Sequence, residues 1–160
     1  MKPKIVTKDA FHIHGIGVRT CNEGESGYDG VIPKLWGQFY DQKIVEKIPS
    51  RPCQNIIALY TDYEDGVSGH YTIMIGAETY SPEEVSEGLI AKTVPSAKYI
   101  IFTSNKGEIS KVVPETWQSI WTFFNDDSSY KRAYTGDFEL YDTRSHDPNN
   151  AEIDIYIAVK

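Results

Sequence analysis

The feature of this sequence that most restricts its fold is one order of elements that occurs twice: strand, helix, strand, turn, strand. Shifting the chain by 81 residues lays one copy on the other. The shift aligns Trp36 with Trp117, Tyr60 with Tyr141, 31–33 with 112–114, and Ala77 with Ala158. These identities are few, but they cluster at the helix starts and on the hairpin strands. The pattern predicts an internal duplication; two unrelated halves with similar α+β patterning are the alternative.

Two segments have the apolar spacing of amphipathic helices, with side chains recurring at intervals of three and four residues. The first is predicted at about 31–43, with Pro33 in its first turn. The second is predicted at about 112–125, with Pro114 in its first turn and Glu115 where the helix dipole favours an acid. One helix therefore falls in each copy of the repeat.

Most of the remaining chain is rich in β-branched and aromatic residues and is divided by Gly, Pro, Asp and Asn clusters. We predict strands at about 11–20, 55–63, 70–78, 97–104, 133–141 and 151–159. Turn clusters at 65–69 and 147–150 are expected to close two hairpins. Because no Gly/Ser-rich linker interrupts the chain, the sequence predicts one α+β domain over 1–160, with repeats at about 1–80 and 82–160.

Charge and composition exclude several classes of function. The chain has 16 Lys and Arg against 23 Asp and Glu, a net charge of −7, which argues against nucleic-acid binding through a basic surface. No apolar stretch approaches the roughly 20 residues needed to cross a bilayer. The amino-terminal residues lack the apolar core of a secretory signal. We therefore expect a cytoplasmic protein that binds neither membrane nor nucleic acid directly.

No residue pattern indicates a cofactor or a metal. Cys21 and Cys53 have no metal-ligand spacing. His12 and His14 lie two apart on a predicted strand but have no third ligand nearby, so a structural role is favoured over a metal pair. The sequence also lacks a serine or cysteine nucleophile motif and a phosphate loop. We expect no cofactor and no metal.

The predicted carboxy-terminal hairpin alternates apolar and polar residues, which places an acidic and aromatic set on one face. We expect Glu139, Tyr141, Asp154 and Tyr156 to share that face, with the isoleucines of 153–157 on the other. The duplication puts Ala58 at the position of Glu139. An acid framed by aromatic rings suits an apolar organic cation, whereas a solvated sheet face is the alternative.

Several motifs together resemble one known family. The residues at 134–142, Tyr-Thr-Gly-Asp-Phe-Glu-Leu-Tyr-Asp, are followed after a turn by an alternating strand at 151–160. This pair is similar to the carboxy-terminal signature of the GyrI-like, or AraC-type, effector-binding domains. The segment 94–102 and the helix that carries Pro114, Trp117 and Trp121 resemble the opening of the second half in that family. The similarity covers nearly the whole chain.

The resemblance implies two strand-helix-strand-strand modules, a curved antiparallel sheet and a central ligand cleft. The glutamate that contacts cationic ligands in multidrug-sensing members of that family corresponds to Glu139, and the family's tyrosine corresponds to Tyr141. From their helix or strand positions, further rings are candidates for the cleft. These are Trp36, Trp117, Tyr60 and Tyr71, with Tyr156 added if its face of the sheet lines the cleft.

Three functions are compatible with this resemblance. The first is stand-alone binding of a hydrophobic, cationic small molecule, by sequestration or by signalling to a protein partner. The second is hydrolysis of a cyclopropane-bearing or similar electrophile, with Glu139 as acid or base and Tyr141 in support. The third is a protein-interaction module such as a gyrase modulator. Transcription regulators of the family carry a separate helix-turn-helix module, for which this chain shows no additional helices.

Overall fold

Eight antiparallel strands form one sheet in the computed structural model, which describes residues 4–21, 31–64, 69–125 and 129–160. The strands are β1 (Lys4–Lys8), β2 (Phe11–Cys21), β3 (Ile56–Thr61), β4 (His70–Thr79), β5 (Ile90–Val94), β6 (Ala97–Thr103), β7 (Asp137–Tyr141) and β8 (Asp154–Val159). The helices are α1 (Val31–Asp41) and α2 (Ile109–Asn125), with 3₁₀ turns at Ile44–Lys47 and Thr143–Ser145. The strands lie in the order β1-β6-β8-β7-β3-β4-β2-β5.

The predicted α+β class and both helices are confirmed, with differences at the ends of elements. Helix α2 begins at Ile109, three residues before its predicted start, so Pro114 lies inside the helix. The turn at 147–150 joins β7 to β8, where the Asn150 amide donates to the Asp147 carbonyl at 3.0 Å. Most of the other predicted turn, 65–68, lies outside the described residues.

The edge strands β1 and β5 were absent from the sequence prediction. Both are short, and both carry lysines and threonines that mask the apolar alternation. Each of them pairs with a strand of the other half. Strand β1 of the first half pairs with β6, and β5 of the second half pairs with β2. Because each half supplies the outer strand of the other and β3 pairs with β7 at the centre, the two repeats cannot separate without breaking three strand pairs.

The two halves are related by a pseudo-twofold axis between β3 and β7. Ala58 on β3 pairs with Glu139 on β7 at this axis. Ala58 also pairs with Ile75, and Glu139 with Ile155, so the two hairpins correspond. These pairs follow the pseudo-twofold symmetry of the predicted fold at the centre of the sheet.

The alignment of Ala77 with Ala158 is wrong. Ala77 packs in the cluster beneath α1, whereas Ala158 packs on the opposite face of the sheet. The second hairpin is one residue shorter, so Ile75 corresponds to Ile155. A change of one residue moves every later side chain to the other face, because side chains alternate along a strand.

Both helices cover the same face of the sheet. Leu35 and Phe39 of α1 pack on Ile75, and Ile120 of α2 packs on Ile155 and Ile157. Each helix therefore lies on the strands of its own half and leaves the central strands β3 and β7 between them. No described helix is both long and apolar enough to cross a membrane.

The opposite face is buried by curvature of the sheet. Phe11 on β2 and Phe138 on β7 have ring centroids 5.4 Å apart, although β4 and β3 lie between their strands. Neighbouring strands are about 4.8 Å apart, so a flat sheet could not bring these rings together. The expected curved antiparallel sheet is confirmed.

Two glycines allow the close approach of β2 and β4. Gly15 pairs with Gly76, and a Cβ atom on Gly76 would overlap the carbonyl oxygen of His14. A Cβ atom on Gly15 would likewise overlap the carbonyl oxygen of Ile75. Both positions therefore need a residue without a side chain.

We expect Gly76→Ala to lower the free energy of unfolding by about 2–3 kcal/mol, because the backbone must shift to accept the added methyl group. Gly37→Ala is the matched control: Gly37 lies in α1 with open space around its missing Cβ. This control should gain about 0.5–1 kcal/mol from helix propensity. Urea unfolding followed by far-UV circular dichroism measures both values. Equal stability of Gly76→Ala and the wild type would contradict the close approach.

Candidate ligand-binding site

A buried carboxylate lies at the centre of the sheet, on the face covered by the helices. Glu139 occupies the middle of β7 and is 2% exposed. Its Oε2 accepts hydrogen bonds from the Tyr60 hydroxyl at 2.8 Å and from Trp117 Nε1 at 2.7 Å. Its Oε1 accepts a hydrogen bond from the Tyr141 hydroxyl at 2.5 Å. Three donors from β3, α2 and β7 therefore converge on this one side chain.

No described cation forms an ion pair with Glu139. Burial raises the pKa of Glu139, while the hydrogen bonds from Tyr141, Trp117 and Tyr60 oppose this rise. Burial and the nearby Glu139 charge also raise the pKa of Tyr60 and Tyr141 well above 10. Both tyrosines therefore keep their protons at neutral pH and remain hydrogen-bond donors.

Asp137 lies two residues earlier on the same face of β7. In contrast to Glu139, its charge is neutralised by a nearby cation. Arg132 Nη2 lies 2.7 Å from Asp137 Oδ2. The Tyr63 hydroxyl donates to the same oxygen at 2.6 Å, and the Ala158 amide donates to Oδ1 at 2.8 Å. Asp137 thus has a fixed cation within the fold, whereas Glu139 is held by neutral donors.

The aromatic rings around Glu139 follow the pseudo-twofold symmetry. The Trp36 ring of α1 lies 5.0 Å from Tyr141, and the Trp117 ring of α2 lies 5.1 Å from Tyr60, both edge to face. Each tryptophan therefore crosses the axis to contact the tyrosine of the other half. This exchange confirms that Trp36 and Trp117, and Tyr60 and Tyr141, are symmetry-related.

The structure brings together six of the seven predicted ligand residues: Glu139 and five aromatic residues around it. Tyr60, Tyr141 and Trp117 bind Glu139 directly, and Trp36 contacts Tyr141. Tyr71 is buried with its ring centroid 5.6 Å from that of Tyr60. The two tryptophans are half-buried while Glu139 is almost fully buried, so the tryptophans form the outer side of this cluster.

The expectation that Tyr156 and Asp154 share the face of Glu139 is wrong. Tyr156 pairs with Phe138 and stacks on its ring at a centroid distance of 4.5 Å. Asp154 pairs with Leu140, and its Oδ2 lies 2.8 Å from Arg144 Nη2. The cause is the register of β8, which places Ile155 opposite Glu139.

Sequence reasoning missed Asp137, Arg132 and Tyr63. Asp137 has the same strand parity as Glu139, and the period-two pattern does place it on that face, but no role was assigned to it. Arg132 and Tyr63 lie outside the named strands, where no periodicity applies. Their contacts with Asp137 depend on how β7 and β3 align in three dimensions.

His12 and His14 have hydrogen-bond partners within the fold. His12 Nδ1 lies 2.9 Å from Thr93 Oγ1, and His14 Nε2 lies 3.0 Å from the Pro82 carbonyl oxygen. Among the residues that the structure describes, no group of three or more His, Cys, Asp or Glu side chains could hold a metal ion.

Comparison with known proteins gives a consistent result over nearly the full chain. Residues 4–159 match the family model described as Cass2, integron-associated effector binding protein. YobU, a candidate transcriptional regulator of Bacillus subtilis, is 35% identical over 153 residues, covering 95% of this chain and 94% of YobU.

Two solved structures have similar folds. An integron cassette protein from the mobile metagenome of Vibrio cholerae is 31% identical with a TM-score of 0.78, covering 99% of this chain and 95% of that protein. The protein SAV2435, solved bound to tetraphenylphosphonium, has a TM-score of 0.82 at 18% identity, covering 100% of this chain and 94% of that protein. The second similarity concerns the fold alone.

The raised pKa of Glu139 predicts a pH-dependent stability difference. An unfolded glutamate loses its proton at lower pH than the buried one, so the unfolded protein binds fewer protons between these two pKa values. The buried acid therefore lowers the free energy of unfolding as pH rises through that interval. Glu139→Gln lacks this titration, so its stability relative to the wild type should increase from pH 4 to pH 7.

Urea unfolding at pH 4, 5.5 and 7 measures this difference. Glu115→Gln, at an exposed position of α2, is the matched control and should show a constant difference. A relative stability of Glu139→Gln that stays constant or decreases with pH would contradict the raised pKa.

Proposed function

Because the chain belongs to the Cass2 family of integron-associated effector-binding proteins, we propose that it binds a lipophilic organic cation at Glu139. The observation that carries this proposal is the buried carboxylate held by neutral donors and framed by aromatic rings. Removing a charge from water without a counter-charge is costly. A cationic ligand supplies that counter-charge.

The hydrogen bonds of Glu139 favour a particular kind of cation. Both carboxylate oxygens already accept hydrogen bonds from Tyr60, Trp117 and Tyr141. The ligand is therefore recognised through its charge and through ring faces rather than by donating N–H groups. Permanent cations with a bulky apolar shell, such as phosphonium and quaternary ammonium compounds, fit this description. The tetraphenylphosphonium complex of SAV2435 supports this class.

The rings add to the binding of such a ligand. A cation over an aromatic face gains about 0.5–2 kcal/mol, and the rings of Trp36, Trp117, Tyr60 and Tyr141 surround the acid from both halves. Their apolar surface suits the shell of the ligand, while Glu139 suits its charge. Family relatives are named as transcriptional regulators, so binding would report the presence of the cation or sequester it.

We expect Glu139→Gln to bind tetraphenylphosphonium about 10- to 100-fold more weakly than the wild type, because a charge-assisted contact is lost. The neutral triphenylphosphine oxide should bind both proteins equally. Calorimetric titration, supported by quenching of tryptophan fluorescence, measures the affinities.

Glu152→Gln provides the matched control. Glu152 is an acid outside the cluster, 3.3 Å from Arg144, and its replacement removes the same charge. Its affinity for tetraphenylphosphonium should equal that of the wild type. Equal binding of the cation by the wild type and Glu139→Gln would refute the proposed contact.

Hydrolysis is the second candidate, favoured by the raised pKa of Glu139 and by tyrosine hydroxyls within hydrogen-bond distance of it. A general base must reach a water and an electrophile, whereas Glu139 is 2% exposed and three donors already bind its carboxylate. We therefore expect cyclopropane-bearing electrophiles to be recovered intact after incubation, as measured by mass spectrometry. Turnover that disappears in Glu139→Gln, with binding of a neutral ligand retained, would establish hydrolysis instead.

A further inference from the structure

A cavity lies outside the Glu139 cluster, between the carboxy-terminal half of α2 and the residues at 130–134. Its volume is about 610 Å³, and its walls include the rings of Trp121, Tyr130 and Tyr134. Cavities of about 300–1,000 Å³ are typical of small-molecule sites. The size and the aromatic walls therefore suit an aromatic ligand.

Among the residues that the structure describes, the charged side chains that line this cavity are all basic: Lys131, Arg132 and Lys160. This is the reverse of the chain as a whole, in which acids outnumber bases by 23 to 16. These described lining residues therefore carry the opposite sign of charge to Glu139.

Arg132 is part of the wall rather than a source of net charge. Its side chain is 5% exposed and is neutralised by Asp137. Its guanidinium lies 4.5 Å from the ring centroid of Tyr134, which holds that ring in place. The buried Nε of Arg132 has no hydrogen-bond partner in the described part of the chain.

Among the described lining residues, two lysines on neighbouring segments of the chain carry the positive charge that Asp137 does not neutralise. The Lys160 amide donates to the Lys131 carbonyl at 2.9 Å, and Arg132 forms a β-bridge with Val159. Lys131 and Lys160 are therefore cross-strand neighbours, where like charges destabilise each other. Both are exposed, and neither forms an ion pair with a described acid. An anion placed between them would relieve this repulsion.

We propose that this cavity binds an aromatic anion, a fused or linked ring system carrying one sulfonate, carboxylate or phosphate group. The rings of Trp121, Tyr130 and Tyr134 receive the aromatic part, and Lys131 and Lys160 receive the anionic group. This site is separate from that proposed for cations, and it does not depend on Glu139. The two sites adjoin along α2, where the rings of Trp117 and Trp121 have centroids 6.1 Å apart.

The test compares 8-anilinonaphthalene-1-sulfonate with N-phenyl-1-naphthylamine, which has the same rings without the sulfonate. We expect the wild type to bind the sulfonate more tightly. The double variant Lys131→Gln/Lys160→Gln should weaken sulfonate binding about tenfold, because two exposed charge contacts are lost, and should leave the neutral dye unchanged. Titration calorimetry and dye fluorescence measure both affinities, and circular dichroism verifies that each variant is folded.

Two controls distinguish binding in this cavity from a general effect of net charge and from binding at Glu139. Lys34→Gln/Lys111→Gln changes the net charge equally at exposed positions outside the cavity and should leave sulfonate binding unchanged. Glu139→Gln should also leave it unchanged, even if cation binding is lost. Equal affinity of the wild type for the two dyes would overturn the proposal. An equal loss in both lysine pairs, or a loss in Glu139→Gln, would overturn it as well.

Discussion

The pairing of β3 with β7 is the interaction on which the rest of this structure depends. It joins the two repeats at their pseudo-twofold axis and makes one continuous sheet from two smaller ones. It also brings Tyr60 of the first half and Tyr141 of the second half to the same carboxylate. The strand pair that builds the core therefore also builds the candidate site.

The two acids on β7 are buried alike but differ in their partners. Asp137 and Glu139 share a strand and a face, and both are almost fully buried. Asp137 has Arg132, Tyr63 and a backbone amide as partners, which together satisfy a buried charge. Glu139 has three neutral donors and no cation within the described part of the chain. The difference arises from the segments that pack against β7, because both positions lie on the same face of that strand.

Local patterns predicted much of the fold, because helix spacing and strand alternation are properties of short segments. The two-repeat pattern and the equivalence of Trp36 and Trp117 were predicted from a few aligned residues. Tyr156 was assigned to the wrong face because the register of β8 depends on the length of the preceding turn, which alternation alone does not reveal. Arg132 was missed because it pairs with Asp137 through tertiary contact from outside the named strands.

The single acid at the axis has a physical reason. Residues 58 and 139 are direct cross-strand partners, so their Cβ atoms are about 5 Å apart. A glutamate at both positions would bury two like charges side by side, and one would have to stay protonated. A duplicated chain that keeps a charged site on its axis must therefore break the symmetry there, and Ala58 opposite Glu139 does so. The small side chain also leaves Tyr60 and Tyr141 free to converge on one carboxylate, so the asymmetry gives the site one negative charge supported by both halves.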